Sequence, residues 1–179
     1  STAGIHRQKS SDGDTVCVSA SNTDSSPIRS REFPGFDQLD TSDHLDDYLP
    51  EADLVIGCLP RTPDTTGLMS RVRLALMKPD ALFVNVGRGN LVRSADLIDA
   101  LQEGALGGAI LDVFETEPLP EDSPLWNMEN VMITPHISGP SFGGNQQVQD
   151  TIWEICMENM EHFLNQEPLQ HVVDLEAGY

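Results

Sequence analysis

Apolar positions in this chain fall into short, nearly continuous runs separated by turn residues. The clearest are Asp53-Leu-Val-Ile-Gly-Cys-Leu59, Ala81-Leu-Phe-Val-Asn-Val86, Gly108-Ala-Ile-Leu-Asp-Val113 and Val131-Met-Ile-Thr134. Runs this short, bounded by Gly, Pro and Asp, predict strands buried on both faces of a parallel sheet. Between them the pattern changes to helical spacing. Ser94 is placed to cap a helix over 95–102, with Asp96 in its first turn, Leu97, Ile98 and Leu101 on its inner stripe, and Gly104 closing it. Thr41 or Ser42 caps a short acidic helix stopped by Pro50, and Ser70 caps another that runs to about Met77. A last helix over 146–165 aligns Val148, Ile152, Ile155, Cys156 and Met160 on one face, a stripe that reads as core. Strands alternating with helices predict an α/β fold.

Residues 1–40 break this regularity. Ser, Thr, Asp, Gly and Pro dominate, with apolar islands only at Val16-Cys-Val18 and 33–36. They read as an irregular lead-in, in which Ser1 to Gln8 fits the end of a strand and Thr15 to Ser19 fits a competing one. The division that follows is a lead-in over 1–40, a main domain over 41–140, and a helix with tail over 141–179.

Composition narrows the partners. Ten Lys plus Arg against 29 Asp plus Glu give a formal charge of −19, so nucleic acid, which such a surface repels, is not an expected partner. Only Lys9 and Lys78 are lysines, a bias that suits a high-salt cytoplasm and equally an ordinary acidic enzyme. Cys17, Cys58 and Cys156 form no C-x-x-C pair, which predicts reduced thiols in a cytoplasmic protein and neither a disulfide framework nor a metal site. No run is long and apolar enough to span a bilayer, so no membrane association is expected.

The chemistry gathers where the strands end. Gly87-Arg88-Gly89 follows the second run, Glu115-Thr-Glu117-Pro118 follows the third, and Pro135-His136-Ile-Ser-Gly139 follows the fourth. Loops at the carboxyl ends of parallel strands form the ligand crevice of open α/β sheets. Arginine grips a carboxylate through paired hydrogen bonds, and imidazole exchanges a proton near neutral pH. A carboxylate beside the imidazole fixes its orientation and stabilises its charged form. That set suits reduction of a 2-keto acid, the hydride coming from a cofactor because no side chain supplies one. Alone, Arg88 reads equally well as a surface arginine in a tight turn.

Asn85-Val-Gly-Arg-Gly89, Leu111-Asp-Val-Phe-Glu-Thr-Glu-Pro118, Thr134-Pro-His-Ile-Ser138 and Ala52 to Gly67 resemble, in order and spacing, the signature segments of the D-isomer-specific 2-hydroxyacid dehydrogenases. The ending from Val172 to Tyr179 is similar to that of glyoxylate/hydroxypyruvate reductases. The resemblance implies a Rossmann-like, doubly wound parallel sheet, incomplete because the first strand and its G-x-G-x-x-G turn are not found in this chain. It implies Arg88, Glu117 and His136 as catalytic residues. Glu117 is chosen over Glu115 because the family's working carboxylate immediately precedes proline; related formate dehydrogenases, which transfer hydride without a hydroxyl proton, carry glutamine there.

For the cofactor, NAD or NADP, the resemblance implies Leu59, Pro60, Thr65, Val86, Gly87, Arg88, Asp112, His136 and Gly139, with Asp112 meeting the nicotinamide carboxamide. Thr65 also reads as plain turn chemistry. Were Gly4-Ile-His-Arg7 the end of the family's second strand, Arg7 and Lys9 would hold a 2′-phosphate; two solvated basic residues fit the same pattern. Trp126 reads as packing under its loop, or more weakly as a substrate wall. His6, His44, His162 and His171 read as solvated or capping residues. The missing glycine-rich turn makes the chain read as the carboxyl-terminal portion of a longer enzyme, a homodimer by resemblance, acting on a small 2-keto or 2-hydroxy acid. A dinucleotide-binding corepressor-like module and an inactive fragment are the alternatives.

Overall fold

The computed structural model describes residues 3–10, 13–20, 38–139 and 146–172. These belong to two units, Ser1–His136 and Ile137–Tyr179. The apolar island at 33–36 and the tail 173–179 lie outside the described residues.

The first unit is built on a seven-stranded sheet. In chain order the strands are β1 (Ala3–Ser10), β2 (Gly13–Ala20), β3 (Gln38–Thr41), β4 (Leu54–Cys58), β5 (Leu82–Asn85), β6 (Gly108–Leu111) and β7 (Val131–Ile133). They lie side by side as β3-β1-β2-β4-β5-β6-β7. From β2 through β7 all neighbours are parallel, whereas β1 is antiparallel to both β2 and β3. The four runs read from the sequence thus become β4 to β7, each within a residue or two of its expected bounds.

The lead-in differs from expectation. It is not irregular where described: β1 and β2 pair along their whole length, from Ala3↔Ala20 to Ser10↔Gly13. In the classic doubly wound order the strand beside the fourth is the first, the one that leads into the glycine-rich turn. Here β2 takes that place, pairing Val16 with Val55 and Val18 with Gly57. Val16 and Val18 alternate onto the core face, which is why this short segment can serve as an inner strand. The reversed direction of β1 means that Gly4-Ile-His-Arg7 is not a parallel second strand. Its residue Arg7 sits opposite Val16, in the half of the sheet away from the carboxyl ends of β4 to β7.

One face of the sheet is sealed and the other only partly. The cross-strand row Val55, Phe83, Ala109 is buried, together with Ile5, Val16 and Val18. The alternate row Ile56, Val84, Ile110, Met132 is half-buried to exposed. Burial on both faces, as the apolar runs predict, is therefore realised on one face.

Three helices of this unit are α1 (Leu45–Tyr48), α2 (Arg71–Leu74) and α3 (Ser94–Gln102). The first two are shorter than expected: 3-10 turns flank α1 at Ser42–His44 and Leu49–Glu51, and α2 stops at Leu74. Thr41 makes no side-chain cap, whereas the Ser70 hydroxyl accepts from the Arg73 N–H at 3.5 Å. Helix α3 buries Leu97, Ala100 and Leu101, and Gly104 closes it at a φ of +70°, a conformation natural to glycine. Arg71 pairs with Asp99 and Glu103 of the α3 region, and Arg73 pairs with Asp46 of α1, tying the helices together at the surface.

The second unit contains α4 (Gln146–Asn165). No residue of α4 is buried, so the stripe expected to be core is instead half-exposed at Val148, Ile152 and Ile155 and exposed at Cys156 and Met160. Its carboxyl end is finished by the chain folding back. Asn159 exchanges two hydrogen bonds with Gln170, and His162 Nδ1 lies 2.7 Å from the Pro168 carbonyl.

Candidate active site

The site is assembled by three loops that leave the carboxyl ends of neighbouring parallel strands. After β5, Asn85 is wholly buried, and its side chain braces the turn that follows. Its Nδ2 donates to the Arg88 carbonyl at 3.1 Å, while its Oδ1 accepts from the Gly87 N–H at 3.3 Å. Both flanking glycines are required by close approach. A Cβ on Gly87 would stand 2.6 Å from the Leu59 backbone, and one on Gly89 would stand 1.8 Å from the Phe114 carbonyl oxygen. The turn is thus wedged between the loops after β4 and β6, and Arg88 projects from it, exposed. Its only described side-chain bond is donation from Nη1 to the Gly87 carbonyl at 2.8 Å.

After β6, the backbone turns so that Glu117 reaches back. Its Oε1 accepts from the Phe114 N–H at 2.9 Å, and its Oε2 lies 2.9 Å from His136 Nδ1. Glu115 has another job: its Oε2 accepts from the Ser94 N–H at the start of α3. Of the two glutamates, Glu117 is the one whose side chain meets His136.

After β7, the ladder continues past the strand ends. The Thr134 N–H donates to the Leu111 carbonyl at 3.0 Å and the His136 N–H to the Asp112 carbonyl at 2.9 Å. His136 takes a φ of +55°, uncommon for a residue with a side chain and typical of sites where geometry serves function. The turn lets the imidazole meet Glu117. Partial burial pushes the Glu117 carboxyl upward, but the His136 hydrogen bond, the Phe114 N–H and the nearby His136 and Arg88 charges outweigh it. The net result holds Glu117 below the usual carboxylate range, ionised beside the imidazole.

A cavity of about 600 Å³ opens beside this pair. His136, Glu117, Asp112 and Thr134 supply its polar lining; Phe114, Leu119, Trp126 and Ile133 supply apolar wall. Trp126 is 50% exposed and anchored by its indole N–H, which donates to the Pro120 carbonyl at 2.9 Å, so it walls the cavity as well as packing its loop.

The other expected cofactor residues divide. Leu59 is buried under Gly87, Pro60 is half-buried just past β4, and Val86 donates its N–H to the Gly57 carbonyl. Thr65 is buried, and its hydroxyl donates to the Pro60 carbonyl at 2.7 Å and accepts from the Thr62 N–H, so it holds its own turn. Gly139 falls in the second unit.

Arg7 is not brought to this constellation. It is 7% exposed, its guanidinium pairs with Asp14 and Glu51, and it lies 5.8 Å from the Tyr48 ring centre. With β1 reversed, these partners sit at the amino ends of the parallel strands, so the expectation that Arg7 holds a 2′-phosphate is corrected to a structural ion-pair role. Lys9 faces the same carboxylate, 4.0 Å from Glu51.

Sequence reasoning passed over Asn85 and Thr134. Both polar groups end apolar strands, and that position was their available signal.

The region 21–138 matches the family model described as D-isomer specific 2-hydroxyacid dehydrogenase, NAD binding domain. The strands β1 and β2 both precede the matched region. A glyoxylate reductase of Thermococcus onnurineus is 37% identical over 133 residues, 74% of this chain and 38% of the relative. A D-isomer specific 2-hydroxyacid dehydrogenase of Xanthobacter autotrophicus Py2, solved with NADPH and MES, aligns at a TM-score of 0.68 and 41% identity, covering 76% of this chain and 54% of its own. An NADPH-dependent glyoxylate/hydroxypyruvate reductase of Sinorhizobium meliloti, solved with NADP and sulfate, aligns at a TM-score of 0.64 and 37% identity, covering 76% of this chain and 43% of its own. The chain spans about half the length of these relatives, or less. With a Rossmann-like sheet and a family match over most of its length, the chain belongs to the D-isomer-specific 2-hydroxyacid dehydrogenases, in their NAD-binding domain.

Proposed function

We propose that this protein takes part in the NAD(P)-dependent interconversion of a small 2-keto acid and its D-2-hydroxy acid, of the glyoxylate/hydroxypyruvate type. The observation that carries the proposal is the 2.9 Å contact between His136 Nδ1 and an ionised Glu117. Glu117 is clamped by the Phe114 N–H, so it fixes the orientation of the imidazole ring. In the reducing direction His136 gives a proton to the carbonyl oxygen as that oxygen gains charge; in the oxidising direction it takes the hydroxyl proton. Arg88 holds the substrate carboxylate and helps polarise the adjacent carbonyl.

Cavity and donor set fit the nicotinamide end of the cofactor: Asp112 and Thr134 supply acceptors for a carboxamide, and apolar walls suit a flat ring. When bound, the cofactor supplies the hydride. The G-x-G-x-x-G cradle for the pyrophosphate is not found in the sequence, so this fit concerns the nicotinamide end alone. Arg7, spent on its ion pairs, does not favour NADP over NAD.

The same reading carries a homodimer in the cytoplasm. Exposed apolar side chains of α4, Trp153 and Phe163 among them, support association, and thiols at Cys58 and Cys156 suit a reducing compartment. Among the described residues no helix is long and apolar enough to cross a membrane.

The test is a rate screen of the full-length protein with glyoxylate, hydroxypyruvate, pyruvate and bulkier 2-keto acids, each with NADH and NADPH. Turnover of the small acids is expected. Binding of neither NADH nor NADPH by these 179 residues themselves favours the inactive-fragment reading instead.

A further inference from the structure

We propose that Arg61 and Arg93, on either side of Arg88 in the chain, form an electrostatic guide that draws anionic ligands onto the β4–β5 side of the crevice. The anions concerned, a keto-acid carboxylate and the dinucleotide phosphates, rest on the proposed function. The guide itself rests on where the charges lie.

Most described cations have a carboxylate at their side. Arg7, Lys9, Arg71, Arg73 and Lys78 each form at least one ion pair. Among the described residues, Arg61, Arg88 and Arg93 form none, in a chain with 29 acidic side chains against ten basic ones. Arg29 and Arg31 lie outside the described residues. All three unpaired arginines are exposed, and all three follow the carboxyl ends of parallel strands. Arg61 comes shortly after β4 ends at Cys58, Arg88 shortly after β5 ends at Asn85, and Arg93 immediately ahead of α3.

The backbone gathers them on one rim. A Cβ on Gly87 would stand 2.6 Å from the Leu59 backbone, and one on Gly89 would stand 1.8 Å from the Phe114 carbonyl oxygen. The stretch 87–94 therefore crosses the mouth from the loop after β4 to the loop after β6. Arg61 is close in sequence to Leu59 and Arg88 is next to Gly87, which keeps their Cα atoms within about 15 Å. Asp64, the acidic residue nearest to Arg61 in sequence, is exposed and forms no ion pair with it. The loop after β6 has the opposite sign. Its Glu115, Glu117, Glu121 and Asp122 are exposed, with Glu115 engaged by the Ser94 N–H and Glu117 by His136. The mouth is polarised: cationic toward β4 and β5, acidic toward β6.

A net charge of −19 repels anions at long range. A cation with a carboxylate beside it does little against that repulsion, because the two fields cancel. An unpaired cation acts over a Debye length, about 10 Å at 0.1 M salt. Unpaired arginines collected at one rim thus give an arriving anion a favourable approach on a surface that otherwise turns it away.

The chain carries its own reporter of this field. Cys58 is exposed at the end of β4, within about 11 Å of Arg61 along the chain. Cys156 is exposed on α4, a helix that bears Asp150, Glu154, Glu158 and Glu161 and no lysine or arginine. The experiment alkylates the full-length protein with iodoacetate, which is anionic, and with iodoacetamide, which is neutral, and reads each cysteine by peptide mass spectrometry. The ratio of the two rates cancels the intrinsic reactivity of each thiol. At low ionic strength the ratio at Cys58 should exceed that at Cys156 by about threefold, and the gap should close near 1 M salt. Arg61→Gln should lower the Cys58 ratio about twofold, the effect of one charge at about 10 Å in water, and leave Cys156 unchanged. A Cys58 ratio no higher than that of Cys156, or one unmoved by Arg61→Gln, overturns the guide. Stopped-flow association of NADH and NADPH then ties the field to ligands. Arg61→Gln/Arg93→Gln should slow association about threefold at low salt, with dissociation unchanged. Lys9→Gln/Lys78→Gln, which removes the same charge at the amino ends of the strands, should not. An equal loss in that control, or a loss carried by faster dissociation, overturns guidance in favour of net charge or direct contact. Binding of neither dinucleotide by the parent overturns the ligand class and with it the proposed function, an outcome that the alkylation ratios keep distinct from failure of the guide.

Discussion

Substituting Gly89 by alanine perturbs the site without touching any group proposed to react. A Cβ there would lie 1.8 Å from the Phe114 carbonyl oxygen, 1.9 Å from its carbon and 2.6 Å from the Glu115 nitrogen. All three are backbone atoms, so no side chain can rotate away, and the loop after β6 must move. Overpacking a tight interior commonly costs about 1–3 kcal/mol. Because two backbones collide here, Gly89→Ala is expected at the upper end, about 3 kcal/mol, or roughly 100-fold in the folding equilibrium. Gly67 is an internal control: its φ is +67°, but nothing lies within 4 Å of a Cβ placed there. Gly67→Ala should cost only the left-handed backbone penalty, about 1–2 kcal/mol. Urea unfolding followed by circular dichroism measures both. The Phe114 N–H that clamps Glu117 belongs to the displaced loop, so Gly89→Ala should also impair turnover more than Gly67→Ala does. A Gly89→Ala protein as stable as the parent, or no less stable than Gly67→Ala, would refute the packing argument.

Other outcomes follow from individual contacts. Glu117 has its carboxyl held below the usual range, so its share of stability is present above the ordinary carboxylate pKa and is lost as pH falls through the lowered one. Unfolding free energy measured from pH 7 down to pH 3 should fall less steeply in Glu117→Gln than in the parent; identical slopes would contradict the ion-pair reading. Asn85→Leu removes the brace on the Arg88 turn and should cost about 1–3 kcal/mol by leaving the buried Gly87 N–H unpaired, measured by the same denaturation. Ser70→Ala should cost little, about 0.5 kcal/mol, because the capping bond is long at 3.5 Å; a loss above 2 kcal/mol would show that the cap carries more than its geometry suggests.

Much of the sheet could be read directly from the chain because its apolar runs are local and end in strong turn residues. β4 to β7 fall where Val, Ile and Leu cluster, and α3 falls where Leu97, Ile98 and Leu101 keep helical spacing, with Leu97 and Leu101 buried and Ile98 half-buried. The pairing of β1 with β2 was harder to see. Each segment looked like a fragment of strand, and direction depends on which neighbour supplies hydrogen bonds, a non-local fact. That direction decided the fate of Arg7, since a reversed strand carries its residues to the opposite end of the sheet. Helices α1 and α2 came out shorter than their caps suggested, since capping fixes a start and not a length. The α4 stripe shows the converse case: periodicity says that a face is apolar, not that anything covers it. At the candidate site, Glu117 and His136 could be singled out because their types name their chemistry, and the structure places their side chains 2.9 Å apart. Asn85 and Thr134 were passed over because amides and hydroxyls at strand ends resemble ordinary turn punctuation until their partners are seen.

The central claim is that Arg88, Glu117 and His136 act on one substrate at the carboxyl ends of β5, β6 and β7. It is tested most directly by His136→Gln in the full-length protein, with glyoxylate reduction and dinucleotide dissociation constants measured together. Loss of general acid catalysis should lower kcat by about 100- to 10,000-fold while dinucleotide binding stays within a few-fold of the parent. Turnover undiminished in His136→Gln would contradict the account.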